Sequence, residues 1–420
     1  MHVLIRQAKI IDTTSEYNGK TADLLIEKGI IKKIATHIDA KVKTEISGKD
    51  LYVSSGWVDV LADYREPGYE HKETIVTGMQ AAANGGFTDV MLVPNTLPVV
   101  SNKGAVQYIL QKAAGNAVSI HPMGSATQGS EGKALAEMMD MHTHGAVAFT
   151  DGWKPVQDSN VMLKALEYVK TFDGVLVQIP VDDALSKGGL MHEGSVSTLL
   201  GMAGIPAIAE TLMVHRDIEL LHYTGSRLHI SGISSAASVA MIKAAKKEGL
   251  NITCSVTPYH LALNDEILKT YDSLYKVSPP IRTEEDRQAL ISGLKDGTID
   301  CIASHHRPHE WDAKAKEFEY ASDGMNVQEN AFQLAWEAVS KKVPIERLIE
   351  AITEAPRKIF GLQAVNINEG NNAQLTIFTT GGRYKVEEGA SLGKNNPFVG
   401  TELQGKVLGI INNEQVHLNK

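Results

Sequence analysis

Residues 58–68 read VDVLADYREPG, an apolar run that passes into Arg65-Glu66-Pro67-Gly68. The run has the content of a buried strand, and Pro and Gly close it as a turn does. Working outward, runs of the same kind recur: FTDVMLVPN (87–95), AVSIHPMG (117–124), GAVAFTDG (145–152), GVLVQIPV (174–181), IPAIAE (205–210), SRLHISG (226–232), NITCSVTP (251–258) and IDCIASH (299–305). Amphipathic segments such as NVMLKALEYVKTF, AASVAMIKAAKKEG and EEDRQALISGLKDG separate most of them. The alternation predicts an α/β fold, a (β/α)8 TIM-type barrel over residues 53–365. A doubly wound sheet fits less well, because no Gly-rich dinucleotide turn follows the first strand.

The chain ends read differently. VLIRQAKIID, ADLLIEKGIIKKIA and ISGKDLYVSSG at the start are short strands with turns, and AQLTIFTT, YKVEEG and LQGKVLGIINNEQVHL at the end match them in kind. Residues 1–52 and 366–420 are therefore expected to form a small β-sandwich domain from both chain termini, which commonly lie close in space.

Composition removes several classes of function. Forty-one Lys and Arg against fifty Asp and Glu give a net charge of −9, and no basic block exists to release counterions. No nucleic-acid partner and no membrane surface are expected. Two cysteines, Cys254 and Cys301, exclude a disulfide framework and a Cys-rich zinc site. They lie in apolar strands beside no His-Asp arrangement, so buried inert thiols are expected. With no run of eighteen apolar residues and no signal-peptide h-region, the expected location is cytoplasmic.

The strand ends resemble the dihydroorotase branch of the cyclic amidohydrolases. The likeness is carried by REPG (65–68), VPNTLP (93–98), GAVAFTD with KPVQD (145–158), GGLMHEGSV (188–196), TPYHLALNDE (257–266), KVSPPIRTEEDRQAL (276–290), RPHE (307–310), APRKIFGL (355–362) and NNPFVGTELQGKV (395–407), in order along nearly the whole chain. The resemblance implies pyrimidine biosynthesis and hydrolysis of a ring amide by one or two divalent metals, which polarise the carbonyl and activate water. It also implies aspartate carbamoyltransferase as a natural partner, and a homo-oligomer.

Against that pattern the ligand positions depart. Where the family carries His-x-His at the end of the first strand, this chain has Leu61 and Asp63. The position of the next histidine falls on Ile179 or Gln178. After the sixth strand, His229 matches a family histidine but the ligand position is Gly232. At the eighth, SHHRPH puts His305 where the family has its general base. Asp151 alone matches a metal-bridging carboxylate. The expectation is a metal-free, catalytically impaired homologue with no intact catalytic group and no cofactor, leaning away from an enzyme. The alternative is an active cyclic amidohydrolase whose altered zinc centre is held by Asp63, Asp151, His305 and His306.

The resemblance further assigns a substrate carboxylate to Arg65, Asn95 and His309, since a guanidinium fork donates two parallel hydrogen bonds to a carboxylate. Ser278 replaces the family's asparagine. Arg65 has a plainer alternative as a partner of Glu66 or Glu70, and Asn95 as a turn residue. His142 and His144 make a metal-like HxH, but they follow a helical run and precede Gly145, so they read as a helix end. For His305 the expectation is a compensating cation beside Asp63 or Asp151, because carboxylates buried without a metal are costly. Three roles stay open: a scaffold or regulatory partner of the transferase, a hydrolase with an altered centre, and a carboxylate sensor.

Overall fold

The computed structural model describes residues 1–419. One eight-stranded sheet gathers both chain ends: β1 (His2–Ile11), β2 (Thr21–Glu27), β3 (Ile30–Ala35), β4 (Thr44–Ile46) and β5 (Leu51–Ser55) from the start, β15 (Leu375–Lys385), β16 (Glu402–Asn412) and β17 (Gln415–Leu418) from the end. The two sets join where β15 runs antiparallel to β5, Ile377 opposite Val53. Val3, Ile5, Ile10, Leu24, Val53, Leu375 and Ile411 form the core of this β-sandwich. β5 carries the sheet to Ser55, past the expected edge at residue 52.

Between the ends lies the barrel. β6 (Trp57–Ala62), β7 (Phe87–Leu92) and β8 (Ser119–Pro122) are parallel neighbours. Phe149 then bridges Gly124 and Leu176, leading to β9 (Leu176–Gln178). β10 (Met191–His192) and β11 (Gly204–Ile205) pair with each other outside the barrel. β12 (Leu228–Ser231), β13 (Ile252–Val256) and β14 (Cys301–Ile302) follow β9 in one parallel sheet. A bridge from His306 back to Ala62 closes the circle, reinforced by the Asp63 amide donating to the His306 carbonyl at 2.9 Å.

Two of the expected strands differ. GAVAFTDG supplies one stave through Phe149 alone. IPAIAE is no barrel strand: after Ile205 the chain enters the helix Ile208–Thr224. A short apolar run has no periodicity to tell strand from buried helix, and here the pattern beyond it decided for helix. Helix starts follow local chemistry. Ser235 caps Ala236–Lys247, and Thr283 caps Glu284–Asp296, whose first turn holds three acids against the helix dipole.

Barrel and sandwich share packing. Trp57 lies 5.3 Å from Phe378 of β15 and 4.9 Å from Phe332, and Phe332 lies 5.1 Å from Phe378. His142 and His144 sit at the end of the short helix Met138–Thr143, their Nδ1 atoms at hydrogen-bonding distance from the carbonyls of Ala146 and Asp140. Cys254 and Cys301 are free, fully buried thiols with pKa values raised by burial. Among the described residues no helix is long and apolar enough to cross a membrane.

Candidate active site

The strand ends at the barrel mouth collect buried polar side chains. Leu61 is fully buried in an apolar cluster with Met91, Val93, Met123, Val177 and Ala303, a packed layer of barrel interior. Asp63, also fully buried, receives Trp153 Nε1 at 2.7 Å, pairs with Arg65 Nη1 at 3.0 Å, and accepts the Arg65 amide at 3.1 Å. Arg65 thus pairs with Asp63. Glu66 is spent instead on the Ile75 amide, the Tyr108 hydroxyl and Lys112, and Glu70 on the Gly68 amide.

Asp151 accepts the Thr127 amide at 2.9 Å and the Thr127 hydroxyl, and burial raises its pKa. Asn95 braces the same loop: its Nδ2 donates to the Asp151 carbonyl at 2.9 Å and its Oδ1 accepts the Trp153 amide at 3.0 Å. A side chain at Gly152 would collide with that amide oxygen. The expected substrate role for Asn95 is therefore replaced by a brace, since its amide is turned into the loop.

His305 does not contact Asp63 or Asp151 as a compensating cation. Its Nε2 shares a hydrogen bond with Ser231 Oγ at 2.9 Å, and its ring meets Trp153 edge-on at 5.5 Å. Burial first, then the fields of His260, His229 and Arg307, lower its pKa to about 3, so the ring is neutral at pH 7. The positive charge beside Asp63 comes from Arg65. His229 bridges Thr253 Oγ1 at 2.9 Å and Ser255 Oγ at 3.1 Å, and burial brings its pKa to about 3. Gly232, at φ +76°, leaves the room that the His305 ring fills. Gln178 is buried with its amide bonded to the backbone of Val156, and Ile179 is buried in the apolar layer. His306 faces Glu73 at 3.5 Å and Tyr64 edge-on at 6.0 Å.

His309 Nε2 meets the Asp323 carbonyl at 3.0 Å while its Nδ1 has no partner, and burial with the nearby Arg65 and Arg307 lowers its pKa to about 2. Two residues went unassigned from the sequence. Trp153 joins Asp63, His305 and Arg307, and Arg307 lies over the Trp153 ring with its guanidinium carbon 4.6 Å from the centroid. The only local signal was an arginine among the histidines of HHRPH. Arg65 and His305 both hold left-handed backbone, φ 61° and 48°, conformations that non-glycine residues keep where surroundings over-determine them.

These residues do not fit a metal ion as they stand. Among the described residues no group of three or more His, Cys, Asp or Glu side chains is placed to hold one. Asp63, Asp151 and His305 each bond a different neighbour, while both ring nitrogens of His306 are buried without a hydrogen-bond partner. A cavity of about 1030 Å³ lies elsewhere, lined by Asn84, Trp311, Glu329, Tyr384 and His417.

Comparison with known proteins supplies what geometry leaves open. A family model described as dihydro-orotase-like matches residues 51–238. A protein named dihydroorotase from Syntrophus aciditrophicus is 40% identical over 414 residues, covering 97% of each chain. Another of that name, from Acetivibrio thermocellus, is 40% identical over 410 residues, covering 96% of each. The L-hydantoinase (dihydropyrimidinase) from Arthrobacter aurescens superposes with a TM-score of 0.87 at 23% identity, over 100% of this chain and 97% of that one. The dihydropyrimidinase from Brevibacillus agri gives 0.84 at 21%, over 100% and 95%. The solved structures establish the fold. Proteins named dihydroorotase are hydrolases, typically zinc-dependent, so the expectation of no cofactor does not stand and the lean away from an enzyme finds no support.

Proposed function

We propose, since this chain belongs to the dihydroorotase family, that it acts in pyrimidine biosynthesis as a cyclic amide hydrolase interconverting N-carbamoyl-L-aspartate and dihydroorotate. The observation that carries this reading is the near full-length likeness to proteins of that name. The barrel mouth adds support. Arg65 spends one terminal nitrogen on Asp63 and leaves Nε and Nη2 unpartnered, the edge of the fork that takes a carboxylate side-on. His309 offers a free Nδ1.

The test is turnover of purified protein on both compounds, with zinc, with manganese and with a chelator. A rate in the ordinary range of ~1–1000 per second supports the reading. Absence of turnover under every condition removes it. A second reading, a non-catalytic partner of aspartate carbamoyltransferase, is favoured by one observation: Leu61 and Gly232, at ligand positions, are filled by packing. Failure of the two proteins to co-sediment at micromolar concentration removes that one.

A further inference from the structure

We infer that Arg307 is a specificity-determining residue: with Arg65 it fits the barrel mouth to a small molecule carrying two carboxylates, in preference to a ring carrying one. The inference rests on the proposed function for where the ligand sits. The Arg307 Nε is fully buried without a hydrogen-bond partner. Arg65, 8% exposed, keeps its Nε and Nη2 edge unmade. Unmade charged donors out of water are expensive, and such groups are normally met by an acceptor.

The two guanidiniums flank one structural pair. Trp153 Nε1 and Arg65 Nη1 both bind Asp63 Oδ2, at 2.7 and 3.0 Å, and Arg307 lies over the Trp153 ring. Burial lowers the pKa of Arg307, and the neighbouring charge of Arg65 lowers it further. Asp63 is spent, so a bound anion would relieve that repulsion. Position is imposed from several sides. The Asn395 amide donates to the carbonyls of Arg307 at 2.8 Å and Gly324 at 3.0 Å. A side chain at Gly324 would press on Cβ, Cγ and Cδ of Arg307 at 2.9–3.0 Å, so glycine there lets the backbone lie along the arginine stem. This much placement exceeds what a solvated arginine needs.

The chemistry of the substrate pair gives the consequence. N-Carbamoyl-L-aspartate carries two carboxylates; ring closure consumes one of them with loss of water, leaving dihydroorotate with one. A second guanidinium therefore distinguishes the open form from the ring.

Isothermal titration of wild type, Arg307→Gln and Arg307→Lys with each compound tests this. Wild type is expected to bind N-carbamoyl-L-aspartate at least tenfold more tightly than dihydroorotate. Arg307→Gln should lose at least tenfold for the dicarboxylate and less than twofold for the ring, with Arg307→Lys between. Equal losses for both compounds, no loss, or no binding of either by wild type would overturn the inference. If Arg307→Gln fails to melt cooperatively, the ratio in Arg307→Lys decides alone. Binding preference without turnover removes the proposed hydrolase and leaves this inference standing; turnover without the preference does the reverse.

Discussion

Arg65 does two jobs with one side chain, and the two can be separated. Its Nη1 neutralises Asp63, while its other edge is free. Arg65→Ala leaves a fully buried carboxylate with only Trp153 and the backbone for partners, and breaking such a pair costs about 3–5 kcal/mol. Arg65→Lys should keep most of the stability but lose the carboxylate fork, weakening N-carbamoyl-L-aspartate by tenfold or more. Thermal melts and titration calorimetry read the two effects; equal stability of all three proteins would show that the pair is not needed. Gly232 makes a second case. Gly232→His puts a histidine back at the family's ligand position, but φ is +76° and the space belongs to His305. It should destabilise by about 1–3 kcal/mol and gain no zinc in equilibrium dialysis. The sequence offered Arg65 as a carboxylate grip and Gly232 as a missing donor, and only the fold brought Asp63 to the one and the His305 ring to the other.

At the scale of elements, the start of β12, the short helix Pro258–Ala262 after β13 and the loop after β14 carry histidines held neutral by burial. His229 and His305 sit at about 3, His260 at about 4 and His309 at about 2. In the unfolded chain each titrates near 6.5. Below that pH the unfolded state binds more protons, so stability falls as pH drops from 6.5 toward 4. Each histidine contributes up to about 1.4 kcal/mol per pH unit. Asp217, raised to about 6, and the raised Asp59 and Asp151 act in the opposite sense, since ionisation of a buried acid disfavours the fold. His192 and His417 are lowered in the same way, and in the unfolded chain imidazoles take up protons at higher pH than carboxylates do, so urea melts at pH 7.5, 6.0 and 5.0 should show declining stability. In His229→Asn the slope should flatten; an unchanged slope would mean that this ring is not held neutral by the fold.

For the molecule as a whole, the sandwich and the barrel share one apolar interface. Trp57, packed edge-on against Phe87 within the barrel, meets Phe378 from β15 and Phe332 from the helix Ala331–Val339. Gln374, just before β15, donates to Asp89 of β7, and Asn412 of β16 donates to the carbonyls of Thr88 and Ala117. Calorimetry is therefore expected to give one cooperative transition. Phe378→Ala should cost about 3–5 kcal/mol and lower that single transition. Two resolved transitions in wild type would show that the sandwich unfolds independently.

What the sequence by itself determined is the architecture. Alternating apolar runs and amphipathic segments specify strands and helices locally, and their repetition leaves the barrel as the way to bury them all. Motif order then pointed to the family. Only the tertiary structure decided which polar groups meet. The partners of His305, Asp63 and Asn95 lie 74, 90 and 56 residues away along the chain. No local pattern encodes such pairings, and no local pattern encodes the loss of water that keeps a histidine uncharged or leaves an arginine unpaired.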